Sequence, residues 1–319
     1  MFRSLAFVLA TSLTALHASA GVINDFNLIA LGNVTGTSEV EGRTLVFGNI
    51  NGSAKNFAVN SAALTKPVTT PGVNQQDGLI VGGKVHGTIQ VNQGGVRVGG
   101  SSTGAHINNA DYTTFNDAEI PSLLSQTLTE IGQTTSYLNS LTANSTANLK
   151  DMNKAIFTST PGVDRTAVFD LDASLFKRNG SMDLQGDLDA DLFLFRFDDI
   201  KIAGGTAFNV FNEEFGLDKF QERIVWYFPN ATTVTLPNGL GGSVIAPLAD
   251  LTLRSPIEGT VVANNVHLTG EIHLPSTTLD IPTVPGRDPD SDGSVPEPSS
   301  MATFALLAIG GLLRRRSRA

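Results

Sequence analysis

The sequence predicts a mainly β fold: a parallel β-helix, or solenoid, with one long α-helix packed alongside it. Three observations predict it. Short segments echo one another sixteen or seventeen residues apart, glycine brackets those segments, and one central stretch carries helical spacing of its apolar residues. Repeats of that length with short β-rich pieces between glycines mark coils that stack like residues on like. The chain holds 319 residues, 32 glycines and no cysteine, so packing and backbone pairing have to supply its stability.

The first twenty residues read as an address label. Arg3 precedes an apolar stretch from Leu5 to Leu16, and Ala18-Ser19-Ala20 supplies a small-residue cleavage site before Gly21. That is the layout of a secretory signal peptide. The coil repeats begin soon after. "LGNVTG" (Leu31–Gly36) and "FGNING" (Phe47–Gly52) lie sixteen residues apart, and "GGKVHG" (Gly82–Gly87) repeats the pattern. Glycine at these corners permits the positive φ that a tight turn requires.

From Ile120 the apolar positions are Leu123, Leu124, Leu128, Ile131, Leu138 and Leu141. They follow a 3.6-residue period, and Pro121 suits a first helical turn. One amphipathic helix is expected over about Ile120–Ala143, its apolar stripe on the side of the solenoid. Further on, "DLFLFRFDDI" is apolar on both parities, with Leu192 and Leu194 alternating with Phe193, Phe195 and Phe197. A strand of that kind is buried on both faces, between coils and helix. Trp226, Tyr227 and Phe228 read as core or cap, with a ligand platform as the alternative. "GSVIAPLADLTL" from Gly242 and "GTVVANNVHLTG" from Gly259 align at an offset of seventeen. That offset sets Val244 on Val261, Ala246 on Ala263, Leu251 on Leu268 and Thr252 on Thr269.

The domain is expected to run over 21–284, followed by an acidic Pro/Gly/Asp linker at 285–294 and a terminal segment at 295–319. In that last segment Pro296, Glu297 and Pro298 precede thirteen apolar residues, Met301 to Leu313. Met301, Phe304, Leu306, Leu307, Ile309, Leu312 and Leu313 are the bulky members of this tail. As a helix it would span about 20 Å against a hydrocarbon core of about 30 Å, which makes a weak permanent anchor. Arg314, Arg315, Arg316 and Arg318 follow at once and would stop in the cytoplasm.

These three parts in this order resemble the PEP-CTERM sorting signal of Gram-negative bacteria. The resemblance implies transient residence in the inner membrane, then cutting near Pro296-Glu297-Pro298 by the membrane protease exosortase. "FNLIALGNVTGTSEVEGRTLVFGNI" (Phe26–Ile50), with Val40-Glu41-Gly42-Arg43 and Gly48-Asn49, resembles the start of the choice-of-anchor A domain. The closing coils, from Ile224-Val225-Trp226 through His273-Leu274, resemble the last turns of bacterial ice-binding proteins. The choice-of-anchor likeness implies a domain that occurs with surface-sorting signals, and the ice-binding likeness implies a β-helix with a long helix beside it.

Without residues 1–20 and 296–319, 16 basic residues face 29 acidic ones, a formal charge of −13. Such a surface repels nucleic acid. It suits cations or a hydrated polysaccharide matrix. Candidate chemistry is sparse. Gly100–Gly104 matches G-x-S-x-G with Ser102 as nucleophile, but no β-α alternation surrounds it, so a turn fits better. Asp288, Asp290 and Asp292 before Gly293 resemble half a calcium loop, yet its twelfth position is Ser299. Asp183, Asp187, Asp189 and Asp191, near Asp170 and Asp172, form an acidic cluster whose residues 187, 189 and 191 share one strand face. His267, Glu271 and His273 share strand parity as zinc ligands would, unless Thr269-Gly270 turns the chain between them.

No catalytic residue or cofactor is assigned, with calcium kept as an alternative. The reading is an exported structural or adhesive protein of the surface or matrix. Its partners would be the Sec export machinery, an exosortase-type protease and an exopolysaccharide or other matrix component. Ice binding and a polysaccharide-active β-helix enzyme are the rivals.

Overall fold

The computed structural model describes residues 21–53, 55–178, 181–203 and 218–279. Their strands pair almost wholly in parallel and stack as coils, as the repeats predict. "LGNVTG", "FGNING" and "GGKVHG" lie on one another, with Val34 opposite Ile50 and Ile50 opposite Val85. Their side chains point inward and are fully buried.

Chain order and stacking order differ. One column of strands runs Thr113–Phe115, Gly95–Val98, Asp77–Val81, Thr44–Val46, Leu28–Ala30. It continues, without a break in pairing, to Val261–Leu268, Ser243–Leu253, Ile224–Tyr227, Leu192–Phe197 and Thr166–Leu171. The N-terminal coil therefore sits between the second coil and the last. The chain winds outward from this seam to residue 115, crosses to the far end, and winds back to the seam.

The crossing is made by the helix Ile120–Ser140. The column above contains nine strand steps of about 4.8 Å, or about 43 Å. A helix of 21 residues covers about 31 Å, and the short segments on either side of it supply the rest. Its contacts follow the column in order. A Cβ on Gly82 would meet Leu124, Val22 N donates to Glu130 Oε2, Tyr227 Oη donates to the Thr135 carbonyl, and Arg196 Nη1 donates to the carbonyls of Leu138 and Leu141. Asn144 then ties the exit to Thr166 and Val168.

The helix ends three residues before the expected Ala143, because Leu141 turns extended (φ −69°, ψ 134°) to enter the far coil. The buried stripe also differs. Leu128 is about half exposed, and Thr127, Thr134 and Thr135 are buried beside Ile120, Leu123, Ile131 and Leu138. Thr134 and Thr135 donate their hydroxyls to carbonyls within the helix, leaving their methyl groups to pack.

The helix covers one side of the column, and the outward residues beneath it form a second apolar layer: Ile29, Leu45, Ile80, Val168, Leu194, Val225, Ile245 and Val262. This explains the strand that is apolar on both parities. Phe193, Phe195 and Phe197 point into the coils, and Leu192 and Leu194 point under the helix. Trp226 is core, not a platform: its ring stacks on Phe195 at 4.7 Å and its Nε1 donates to the Gly241 carbonyl at 2.8 Å. The far end is closed by the antiparallel pair Thr146–Asp151 and Lys154–Ser159, the latter parallel to Ser181–Gly186.

The alignment at an offset of seventeen is half right. Val244 meets Val261 and Ala246 meets Ala263. Between Ala246 and Asp250 the register then shifts, so Leu251 meets Val266 rather than Leu268, and Thr252 meets His267 rather than Thr269. Residues 247–249 face the single residue 264, so the longer strand carries two extra residues, and this even shift changes the offset without breaking the inward pattern.

Polar groups stitch the seam. Buried Asn27 donates to the carbonyls of Gly259 (2.7 Å) and His273 (2.9 Å) and accepts from Gly42 N. Gly36 closes its corner at φ +99°, where a Cβ would collide with the Leu268 carbonyl. Gly36→Ala is expected to cost about 3 kcal/mol or more, from backbone strain and the collision together. Gly132→Ala, whose Cβ meets nothing within 4 Å in the long helix, is expected to gain about 0.5–1 kcal/mol. Urea unfolding of the two variants checks both signs.

Candidate binding face

With one side under the helix, the side that follows each glycine-bracketed corner remains open. Alternation along its strands sends Val34, Val266, Leu251 and Val234 inward and the residues between them outward. The outward residues fall into two columns. One runs Lys201, Thr233, Asp250, Asn265, Asn33, Asn49, Lys84. The other runs Ala203, Thr235, Thr252, His267, Thr35, Asn51, His86. Successive members are one strand apart, about 4.8 Å.

The asparagines form a ladder. Asn265 Oδ1 accepts from Asn33 N at 2.8 Å, Asn33 Oδ1 from Asn49 N at 2.9 Å, and Asn49 Oδ1 from Lys84 N at 2.7 Å. Each side chain thus satisfies a corner N–H of the next coil, which ties successive coils in one register. Asn265 Nδ2 donates to Asp250 Oδ1 at 2.7 Å, and Thr35 Oγ1 lies 2.9 Å from His267 Nδ1. Among the described residues the face carries in its two columns amides, hydroxyls, imidazoles and the amines of Lys84 and Lys201, with Asp250 their one carboxylate. It is not the long acidic surface that net charge alone suggests.

The acidic candidates lie elsewhere and are engaged. Residues 187–191 form a turn after Gly186 (φ +91°), not a strand, so 187, 189 and 191 do not share a strand face. Asp187 caps the turn by accepting from Asp189 N, Asp191 pairs with Arg165 at 2.8 Å, and Asp183 pairs with Lys154. Asp170 pairs with Arg196, and Asp172 caps a 3-10 turn through Ser174 N. Ser102 sits in an exposed turn that leads into the strand Ala105–Asn108, with no helix behind it.

His267, Glu271 and His273 do not converge. The chain turns at Thr269-Gly270, leaving His267 on the open face beside Thr35. His273 lies on another side, its Nδ1 2.8 Å from Glu258 and its Nε2 2.7 Å from Glu271. Burial works to lower the His273 pKa, but the hydrogen bonds to Glu271 and Glu258 outweigh it and hold it raised. Among the described residues no group of three His, Cys, Asp or Glu is placed to hold a metal ion. The calcium candidates Asp288, Asp290 and Asp292 lie outside the described residues. So do Ala18 and Ala20, Pro296-Glu297-Pro298, the apolar tail and its arginines. Gly21 is described and precedes the short helix Val22–Asp25.

Two features were not legible in sequence. Arg97 is almost fully buried and ion-paired to Asp77 (3.2 Å), Asp117 (2.7 Å) and Glu119 (2.9 Å). These bonds fasten the end coil to the start of the long helix and line an open groove of about 480 Å³ with Tyr112 and Asn116. Lys55 points into the coil interior with no accessible surface, and its Nζ donates to the Asn51 carbonyl at 2.6 Å. Burial lowers its pKa.

The described residues thus form a helix-braced β-helix with one open side lined by two polar columns. The chain belongs to the ice-binding-like adhesive domain family, whose model (pAdhesive_15) matches residues 19–274. A second model, the PEP-CTERM protein-sorting motif, matches residues 294–317. The resemblances to the PEP-CTERM signal and to ice-binding proteins are met by these matches, and together they support an exported surface protein of a non-enzymatic family. Among curated proteins none matches the chain. Similar solved structures include an ice-binding protein from an Antarctic biological consortium, at 14% identity over 87% of this chain and 95% of that one, TM-score 0.31. The DUF3494 domain of Shewanella frigidimarina ice-binding protein 1 is 14% identical over 82% and 99%, TM-score 0.35. An ice-binding protein of the Antarctic ascomycete Antarctomyces psychrotrophicus is 10% identical over 81% and 98%, TM-score 0.28.

Two outcomes follow from the buried titratable groups. The raised His273 pKa contributes stability that is complete below about pH 6.5 and is lost as pH rises through the folded value. His273→Gln should flatten that slope of melting temperature between pH 5.5 and 8.5. Lys55→Met keeps the volume and removes a poorly solvated amine, so its midpoint in denaturant should rise rather than fall.

Proposed function

We propose that this chain is a non-catalytic adhesive protein of the outer surface or matrix, binding through its open polar side. The observation that carries the reading is the continuity of the two family matches: the adhesive-domain match spans the β-helix, and the sorting-motif match follows it. In this reading residues 1–20 direct export and are removed, the domain covers 21–284, and 285–294 link it to the tail. The tail holds the protein transiently in the inner membrane until an exosortase-type protease cuts near Pro296-Glu297-Pro298. The columns of amide, hydroxyl and imidazole groups suit a hydroxyl-rich matrix polymer, since each group can donate or accept at a fixed repeat.

Ice binding is the second reading, and one observation favours it. Thr235, Thr252 and Thr35 occupy one column of the open face. His267 interrupts that column, and Thr269 lies outside it. A thermal-hysteresis measurement decides between the readings: ice shaping by the purified protein would displace the adhesive one.

Deletion of 295–319 should release the protein from the cell envelope, and mass spectrometry of the C-terminus from intact cells should find it cut near residue 296. A C-terminus intact to Ala319 in surface-exposed protein would refute processing. Thr35→Arg with Thr252→Arg should lower retention on exopolysaccharide-coated surfaces by tenfold or so, at unchanged melting temperature. A tenfold loss corresponds to about 1.4 kcal/mol.

A further inference from the structure

The short helix Val22–Asp25 is where distant parts of the chain meet. Val22 N donates to Glu130 Oε2 of the long helix at 2.9 Å. Asp25 Oδ2 accepts from the amide and hydroxyl of both Thr69 and Thr70. Asn24 Nδ2 donates to the Leu279 carbonyl at 3.0 Å. Thr260 Oγ1 lies 3.2 Å from the Ile23 carbonyl and 3.0 Å from that of Phe26. Gly21 comes just before this junction. A Cβ on Gly21 would stand 3.6 Å from Glu130 Oε2, and the Gly21 nitrogen is one bond from the same Cα. Glu130 is half-buried and, among the described residues, no Lys, Arg or His pairs with it.

We propose that removal of the leader completes the fold: it creates at Gly21 an α-ammonium that pairs with Glu130 and locks the N-terminal coil beneath the long helix. The step rests on the reading of residues 1–20 as a leader. Water, delivered by the leader peptidase of the export machinery, adds across the Ala20–Gly21 amide. Ala20 leaves as a carboxylate, and the Gly21 nitrogen becomes an amine that takes up a proton. An amide nitrogen carries no charge, so the uncut chain leaves Glu130 with a single backbone N–H. The cut chain presents a cation to it. The group has a free-chain pKa of about 7.7–8.0, and pairing raises it. The contribution is therefore full below that range and is lost as pH rises through the folded value. The carboxylates facing the site are Glu130, from the long helix, and Asp25, whose Oδ2 is committed to Thr69 and Thr70.

The test is a two-by-two cycle on the chain to Ala319. One form starts at a free Gly21, the other keeps Ser19-Ala20, and each is made with Glu130 and with Glu130→Gln. Unfolding is measured at low salt, at pH 7 and pH 10.5. At pH 7 the free Gly21 start should lower the unfolding constant about two- to fivefold relative to the extended form. That difference should vanish with Glu130→Gln and at pH 10.5. Equal stability of the two starts at pH 7 overturns the proposal. So does a difference that survives Glu130→Gln, which would be steric. If Glu130→Gln does not fold, N-acetylated Gly21 removes the charge without touching the helix, and it should behave like the extended form; stability equal to that of the free amine would sink the idea. The N-terminal mass of the exported protein separates the two readings. A start other than Gly21 removes the leader assignment, whatever the cycle shows.

Discussion

Everything in this molecule depends on one non-local pairing: the N-terminal coil hydrogen-bonded on both edges, to the second coil and to the last. Leu28–Ala30 pairs with Thr44–Val46 on one side and with Val261–Ala263 on the other. An ordinary solenoid adds each coil to its predecessor, so its contacts are local and folding can propagate from anywhere. Here the column is two runs of coils that join only after the helix has returned the chain to the far end. The loop closed by the seam exceeds 230 residues, and its entropy is recovered only when the last coil docks. The seam is accordingly dense in specific polar bonds, with Asn27, Asn265 and Thr260 each satisfying backbone groups of a coil distant in sequence. An aliphatic stack alone accepts any coil; these bonds admit one register.

The helix follows from the same constraint. Once the outward run ends at residue 115, the chain has to reach a point about 43 Å away along the column. A helix is the cheapest straight path because it satisfies its own backbone while crossing apolar surface. Its passage then dictates composition on the side it covers, where strands lose the in-and-out alternation and become apolar on both parities. The core changes character along the way. Near the seam the interior is aliphatic, with Leu28, Ala30, Val34, Val261, Ala263 and Val266; toward the far end Phe157, Phe169, Phe195 and Trp226 interlock edge-on and face-on. Larger rings fill the coils there, and the antiparallel strand Thr146–Asp151 closes the end with its polar edge outward.

The architecture was largely legible in sequence because inward residues repeat by type, and glycine corners mark the coil length. Stacking order was not legible, since an echo shows that two segments are alike and not which of them touch. A partial signal existed. Asn33-Val34, Asn49-Ile50 and Asn265-Val266 share an asparagine before a β-branched residue, and these are the rungs of the ladder across the seam. The bulge at residues 247–249 hid the true register, because it shifts the outward residues while keeping Leu251 and Leu253 inward. That single shift moved Thr269 out of the open face and put His267 into it. Net charge misled for a different reason. It averages over turns and the far end, whereas the open side is set by the outward positions of a few coils. Lys55 and Arg97 could not be read as buried, because burial of a charge depends on what stacks above and below it.

Placing both ends of the domain at the seam also decides where force enters. Leu279 bonds to Asn24 beside Gly21, so whatever follows residue 279 pulls on the middle of the column rather than on an end. Thr277 and Thr278 hold that exit segment to the Glu222 carbonyl, and Thr277 N donates to Thr260 Oγ1. Load on a tether would first meet these side-chain bonds in shear, shared between coils on both sides of the seam. The coils beyond are joined by continuous backbone pairing and by the helix that spans them. The open polar side crosses the same seam through the Asn265–Asn33–Asn49 ladder. On the adhesive reading proposed above, the ladder and the continuous backbone pairing would share the load that enters at the exit segment.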